Sequence, residues 1–170
     1  KMQKQKNELK LKNSELKKRL IILSSYSGNT EEVTDAFHTA KKKGCAMVVI
    51  AIGGTLLELA KKYKTPYIQL PDTHIQPRMA LGFSVKALLT IIGNEKALSE
   101  LSKLSNTLKP KDFEKRGMVL AKKLKGRIPV IYVSFQNQAL AYNWKIKFNE
   151  TGKIPAFYNT LPELNHNEMT

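Results

Sequence analysis

Residues 25–32, Ser-Tyr-Ser-Gly-Asn-Thr-Glu-Glu, set three hydroxyl side chains around a glycine between an apolar run and an amphipathic one. Those residue types suit the binding of an anion without neutralising it. Ser25, Ser27 and Thr30 supply hydroxyl donors, Gly28 permits a positive φ or a close backbone approach, and Asn29 or Thr30 serves as a helix cap. At a strand-to-helix turn, free backbone N–H groups and the positive end of the helix dipole point at whatever enters. A phosphorylated small molecule is the expected guest. A capped helix start with no ligand has the same composition, so the loop alone does not decide between the two.

The elements around the loop place it at such a turn. Leu20–Leu23 reads as a short apolar strand ending at Ser24, and Val33, Phe37 and Ala40 form a helical stripe after it. Lys41, Lys42 and Lys43 followed by Gly44 stop that helix. Cys45–Ile52 is apolar throughout, which predicts a parallel strand covered on both faces and an inert buried thiol at Cys45. Gly53-Gly54 breaks it. Leu56, Leu57, Leu59 and Ala60 predict a helix ending near Lys62, and residues 66–70 a third strand. The unit is β-α-β-α-β, whose right-handed crossovers give one parallel sheet with ligand sites at the strands' carboxyl ends.

Downstream, the spacing predicts a helix over 78–92, with Pro77 at its entrance and Leu81, Val85, Leu88, Leu89 and Ile92 as its apolar stripe. A helix over 96–108 precedes Pro110, and another covers 111–125. A strand of buried type is expected over 128–134, a helix over 138–150 with Ala141, Trp144 and Phe148 on one side, and a strand starting within 154–158. The fold class is α/β. The expected organisation is a basic lead-in over 1–19, a first α/β domain over 20–94, a helical linker over 95–110 and the start of a second α/β unit over 111–170.

Composition narrows the partners. The 170 residues are 42% hydrophobic, enough for a real core, and 29 Lys and Arg against 14 Asp and Glu give a net charge of +15 that attracts anions of any kind. Residues 1–19 are lysine-rich, but no aromatic is interleaved for base stacking, so a solvated lead-in is favoured over a nucleic-acid tail. No signal peptide and no membrane-length apolar run is visible, which leads to a cytoplasmic expectation. One cysteine, three scattered histidines and no dinucleotide or Walker fingerprint point to chemistry without metal or cofactor.

Residues 25–31 closely resemble the phosphate-binding loop of the sugar isomerase (SIS) domain, in the form found in bifunctional phosphoglucose/phosphomannose isomerases. Three further stretches match in order: Pro77-Arg78-Met79-Ala80-Leu81, Phe148-Asn149-Glu150, and residues 161–168, Leu-Pro-Glu-Leu-Asn-His-Asn-Glu. Together they cover residues from about 20 to 170. The resemblance implies a flavodoxin-like, doubly wound sheet and the interconversion of glucose 6-phosphate, and mannose 6-phosphate, with fructose 6-phosphate through an enediolate.

It also implies roles. Ser25, Ser27 and Thr30 hold the substrate phosphate, and Glu150 carries the proton between neighbouring carbons, strengthened as a base by partial burial. His166 assists ring opening, a task for a side chain type that changes charge near neutral pH. Glu163 and Glu168 flank it as alternative orienting groups. Arg78 stabilises the enediolate oxyanion. In this family the histidine crosses a dimer interface, so a homodimer is expected. A non-catalytic sugar-phosphate-binding SIS module is the alternative, although it needs neither Glu150 nor His166. Two departures lead to the expectation of a truncated member, whose activity as a fragment the sequence leaves open. Residues 1–19 lack the family's first strand and glycine-rich loop, and the family continues beyond the histidine motif.

Overall fold

The computed structural model describes residue 15 and residues 18–168, and the expectation for the lead-in falls mostly outside them. The chain divides into two units, Lys1–Ser99 and Glu100–Thr170.

In the first unit, β1 (Leu20–Ser24), β2 (Ala46–Ala51) and β3 (Tyr67–Gln69) form a parallel sheet in the order β1-β2-β3. Leu20 pairs with Ala46 and Val49 with Tyr67, which fixes the register on both sides of the central strand. Helices α1 (Glu31–Lys42) and α2 (Gly54–Lys62) make the two crossovers. Side chains of a strand alternate between faces, and β2 uses both. Val49 and Ala51 join Leu23, Phe37, Leu56 and Ala60 in one buried cluster, while Ile50 joins Leu70 and Ala87 in another on the opposite face. The expected double covering of this strand holds. Phe37 is fully buried, and Phe37→Ala should cost about 3–5 kcal/mol.

The chain then forms a 3₁₀ turn at Pro77–Met79, α3 (Leu81–Ile91) and α4 (Glu95–Thr107), the last spanning the division between the units. The expected single helix over 78–92 is therefore broken at Ala80, where φ is −87° and ψ 10°. Its expected stripe also faces the other way. Phe83, Ala87 and Ile91 pack against the sheet, whereas Leu81, Val85, Leu88 and Ile92 are exposed. Both sets have helical spacing because α3 is apolar on two sides, so periodicity cannot choose the inner face.

In the second unit, α5 (Pro110–Leu124) leads to β4 (Val130–Ser134), α6 (Gln138–Glu150), β5 (Phe157–Leu161) and a single turn, α7 (Leu164–Asn167). β4 and β5 pair in parallel, Val130 opposite Phe157. Here β4 departs from its expected buried character, since Val130 and Tyr132 are exposed. Ile131 and Val133 are half-buried while the residues between them are exposed, the alternation of a strand covered on one face, with α6 packed against it. β5 starts three residues later than the earliest expected position, after Pro155. Cys45 is likewise half-buried and lies just before β2.

Candidate functional site

The Ser25–Thr30 loop leaves the carboxyl end of β1, where Ser25 N–H still donates to the Ile50 carbonyl. Ser25 is 6% exposed, and its hydroxyl turns back into the loop. Its Oγ accepts from Gly28 N–H at 3.1 Å and shares a 2.7 Å hydroxyl–hydroxyl bond with Thr30. Ser27 Oγ accepts from Asn29 N–H at 3.2 Å and is open to solvent, as is Thr30. The loop thus places Thr30 at the N-cap of α1 without a side-chain cap bond. The opening N–H groups of α1 are the orphan donors of any helix start, and two exposed hydroxyls stand beside them. Ser25 braces the turn, and Ser27 and Thr30 face outward, an arrangement of neutral donors whose chemistry suits a dianion.

A second loop supports the first. Gly53-Gly54 leaves the carboxyl end of β2, and the two loops meet backbone to backbone. Gly28 has φ +76°, and a Cβ there would stand 1.9 Å from the Gly53 carbonyl oxygen. Gly54 has φ +68°, and its Cβ would stand 2.5 Å from the Ser27 carbonyl oxygen. Leu56 N–H donates to the Gly28 carbonyl, and Ile52 N–H to that of Tyr26. Sequence reasoning treated Gly53-Gly54 only as a strand break. Its signal was present, because paired glycines directly follow a buried strand at the end of the sheet where ligands bind.

Tyr26 contributes differently. Its ring packs with Ile50, Leu70 and Ala87, and its hydroxyl is buried with no hydrogen-bond partner among the described residues. An unpaired buried hydroxyl costs about 1–3 kcal/mol. Tyr26→Phe should therefore leave urea-melt stability unchanged or raise it by about 1 kcal/mol, and a clear loss would show that the hydroxyl is satisfied.

Arg78 sits half-buried in the turn that follows β3, so the chain brings it round from the same carboxyl edge as both glycine loops. Its Nη1 donates to Gln76 Oε1 at 3.5 Å. The two remaining candidates belong to the second unit. Glu150 closes α6 and is exposed, so the expected partial burial is not met. The segment around it is well fixed: Asn149 Nδ2 donates to the Ile154 carbonyl at 2.9 Å, and a Cβ on Gly152 would meet the Phe148 carbonyl oxygen at 2.8 Å. Beside it, a concavity of about 460 Å³ is lined by Leu124, Phe148 and Ile154 with Lys122 and Lys125 at its margin. Its largely apolar walls suit a phosphorylated sugar poorly, so the chemistry is better sought at the hydroxyl loop.

His166 lies on α7, exposed, and its imidazole makes no hydrogen bond among the described residues. Neither flanking carboxylate orients the ring. Glu163 accepts from Asn167 Nδ2, while Glu168 accepts from Asn159 Nδ2 and from the Tyr132 hydroxyl. Glu168 thereby ties the turn carrying His166 to β4 and β5. Those bonds, from Asn159 first and then Tyr132, hold the Glu168 carboxyl below its ordinary value of 4.5. The bond to Glu168 is also the main reason that Tyr132 is raised above 10.0. A lowered carboxyl contributes order that is present above its ordinary value and is lost as pH falls through the lowered one. Protection of the Glu168 amide, which donates to the Leu164 carbonyl, should accordingly fade as pH falls below the ordinary value of 4.5 and through the lowered one. In Glu168→Gln that acid step should be absent from the hydrogen-exchange profile.

The path of the chain also separates two of the candidates. Glu150 precedes the amino end of β5, whereas His166 follows its carboxyl end. Ser25, Ser27 and Thr30 come together in one turn.

Known proteins resemble this arrangement along most of its length. The chain is 38% identical over 166 residues to a bifunctional phosphoglucose/phosphomannose isomerase of Caldicellulosiruptor bescii, a match covering 89% of this chain and 49% of that protein. It is 35% identical to the protein of the same description from Aquifex aeolicus, over 88% of this chain and 47% of that one. A profile of the bacterial phospho-glucose isomerase C-terminal SIS domain matches residues 113–170. Over most of its own length the chain resembles the bifunctional phosphoglucose/phosphomannose isomerases, and it shares the SIS-domain match. It spans about half the length of the curated relatives it matches. Its fold is that of a candidate phosphosugar isomerase from Bacillus subtilis, with a TM-score of 0.65 at 24% identity over 90% of this chain and 50% of that one. The profile match places an SIS-domain segment in the second unit, residues 113–170. Among the described residues no helix is long and apolar enough to cross a membrane.

Proposed function

We propose that this chain carries an aldose–ketose isomerase site that interconverts fructose 6-phosphate with glucose 6-phosphate and mannose 6-phosphate. The observation that carries the reading is the paired-hydroxyl loop of Ser25, Ser27 and Thr30 at a helix start, in a chain whose relatives share that activity by description. The loop anchors the phosphate. His166 then moves a proton at the ring oxygen to open the sugar. Glu150 takes a proton from C1 of the open ketose and returns it to C2, and Arg78 balances the oxyanion of the enediolate between those steps. No other group need change oxidation state, since the reaction relocates one C–H bond and one carbonyl.

The same reading favours a homodimer. Glu150 and His166 lie at opposite ends of β5 along the chain, so a second copy that supplies His166 completes a site that one chain leaves divided. A dimer interface would also shield the exposed Glu150 from water. A cytoplasmic location fits a phosphorylated sugar substrate, which does not cross membranes unaided.

Turnover of fructose 6-phosphate by this chain, followed by the appearance of glucose 6-phosphate and mannose 6-phosphate, tests the proposal. Binding of the ketose without either product would support the non-catalytic module instead.

A further inference from the structure

The first backbone donors of α2 are used in an uncommon way. A helix start is ordinarily capped by the residue just before it. Here that residue is Gly53, which has no side chain to offer. A Cβ at position 53 would meet nothing within 4 Å, so a local cap is not sterically forbidden. The cap comes instead from the neighbouring loop. Asn29 Oδ1 accepts from Thr55 N–H at 3.0 Å and from the Thr55 hydroxyl at 3.2 Å, across 26 residues of sequence. The next donor, Leu56 N–H, goes to the Gly28 carbonyl at 2.8 Å.

We propose that Asn29 is a positioning residue for phosphate binding, fastening the hydroxyl loop to the start of α2 so that Ser27 and Thr30 are held ready for the ligand. The proposal rests on the sugar-phosphate reading above. Asn29 lies between those two residues, its own N–H is held by Ser27 Oγ, and Thr30 is tied to Ser25 on its other side. Its carboxamide is thus the side-chain link between the segment that bears the hydroxyls and the next helix. Without it the loop keeps its internal bonds and the backbone bonds at Tyr26 and Gly28 but loses its side-chain tie to Thr55, so the stretch from Asn29 to Thr30 must be ordered by binding at a cost in affinity.

The test measures fructose 6-phosphate affinity by calorimetry, with thermal melts, on the full chain and two variants. Asn29→Ala should bind at least ten-fold more weakly and melt several degrees lower. Adding Gly53→Ser gives α2 a local cap, so the double variant should recover most of the melting temperature while its affinity stays at least ten-fold weak. Recovery of both together would overturn the proposal, because Asn29 would then act only as a helix cap. An Asn29→Ala chain that binds as the unsubstituted one does would overturn it too, leaving the sugar-phosphate reading intact. Failure of the unsubstituted chain to bind fructose 6-phosphate would overturn both.

Discussion

Glu150→Gln is expected to lower turnover of fructose 6-phosphate by about 10²–10⁴-fold, the range that a positioned acid–base group contributes, while leaving its affinity unchanged. The amide matches the carboxylate in size and keeps hydrogen-bonding ability, yet it cannot accept and return a proton. The geometry favours a clean result. Glu150 is the exposed last residue of α6, and the turn beneath it is held by the Asn149–Ile154 bond and the close approach of Gly152 to Phe148. The substitution lies outside the buried core, and thermal melts of both chains separate a loss of rate from a loss of fold. Turnover and calorimetric affinity measured on the same preparations separate the outcomes. Equal rates would remove Glu150 from the mechanism, whereas parallel loss of affinity and rate would give it a binding role.

Gly28→Ala should be the most destabilising single-methyl change in the first unit, costing about 3 kcal/mol or more. Two terms add. A left-handed φ of +76° penalises any residue with a Cβ by about 1–2 kcal/mol. The new methyl would also stand 1.9 Å from the Gly53 carbonyl oxygen, and the obstacle is backbone, which cannot swing aside as a side chain tip would. Relief requires the two glycine loops to part, which breaks the Leu56–Gly28 bond and releases the loop. Gly82→Ala is the control, since a Cβ there meets nothing, and it should leave stability unchanged or raise it by about 0.5–1 kcal/mol. Urea melts of both variants check the contrast. Similar melts would mean that the loops are not in contact.

Much of the secondary structure in both units could be read from local patterns. The β1 strand, the central strand with its two covered faces and the helix over 138–150 follow from runs whose composition permits one periodicity. The reading weakened where two patterns coincided. In α3 the set 81, 85, 88, 92 and the set 83, 87, 91 are both apolar at helical spacing, and only the sheet chooses between them. For β4 an apolar run implied covering on both faces, but its residues alternate between half-buried and exposed, with α6 packed against the strand. At the site, the hydroxyls were legible because their spacing lies within one short loop. The partnership of Asn29 with Thr55 was not, since it joins residues 26 apart through a side-chain oxygen. Glu168 was expected near the imidazole because it is adjacent in sequence, whereas the fold gives its carboxylate to β4 and β5.

The account depends most on the hydroxyl loop as the seat of the sugar's phosphate group. An amide-resolved NMR titration of this chain with fructose 6-phosphate, set beside unphosphorylated fructose, addresses it directly. Shifts concentrated at residues 27–32 and at Thr55 and Leu56, saturable with the phosphorylated sugar and absent with fructose, are the predicted result. Shifts confined to the lysine-rich surface, or an equal response to both sugars, would contradict it.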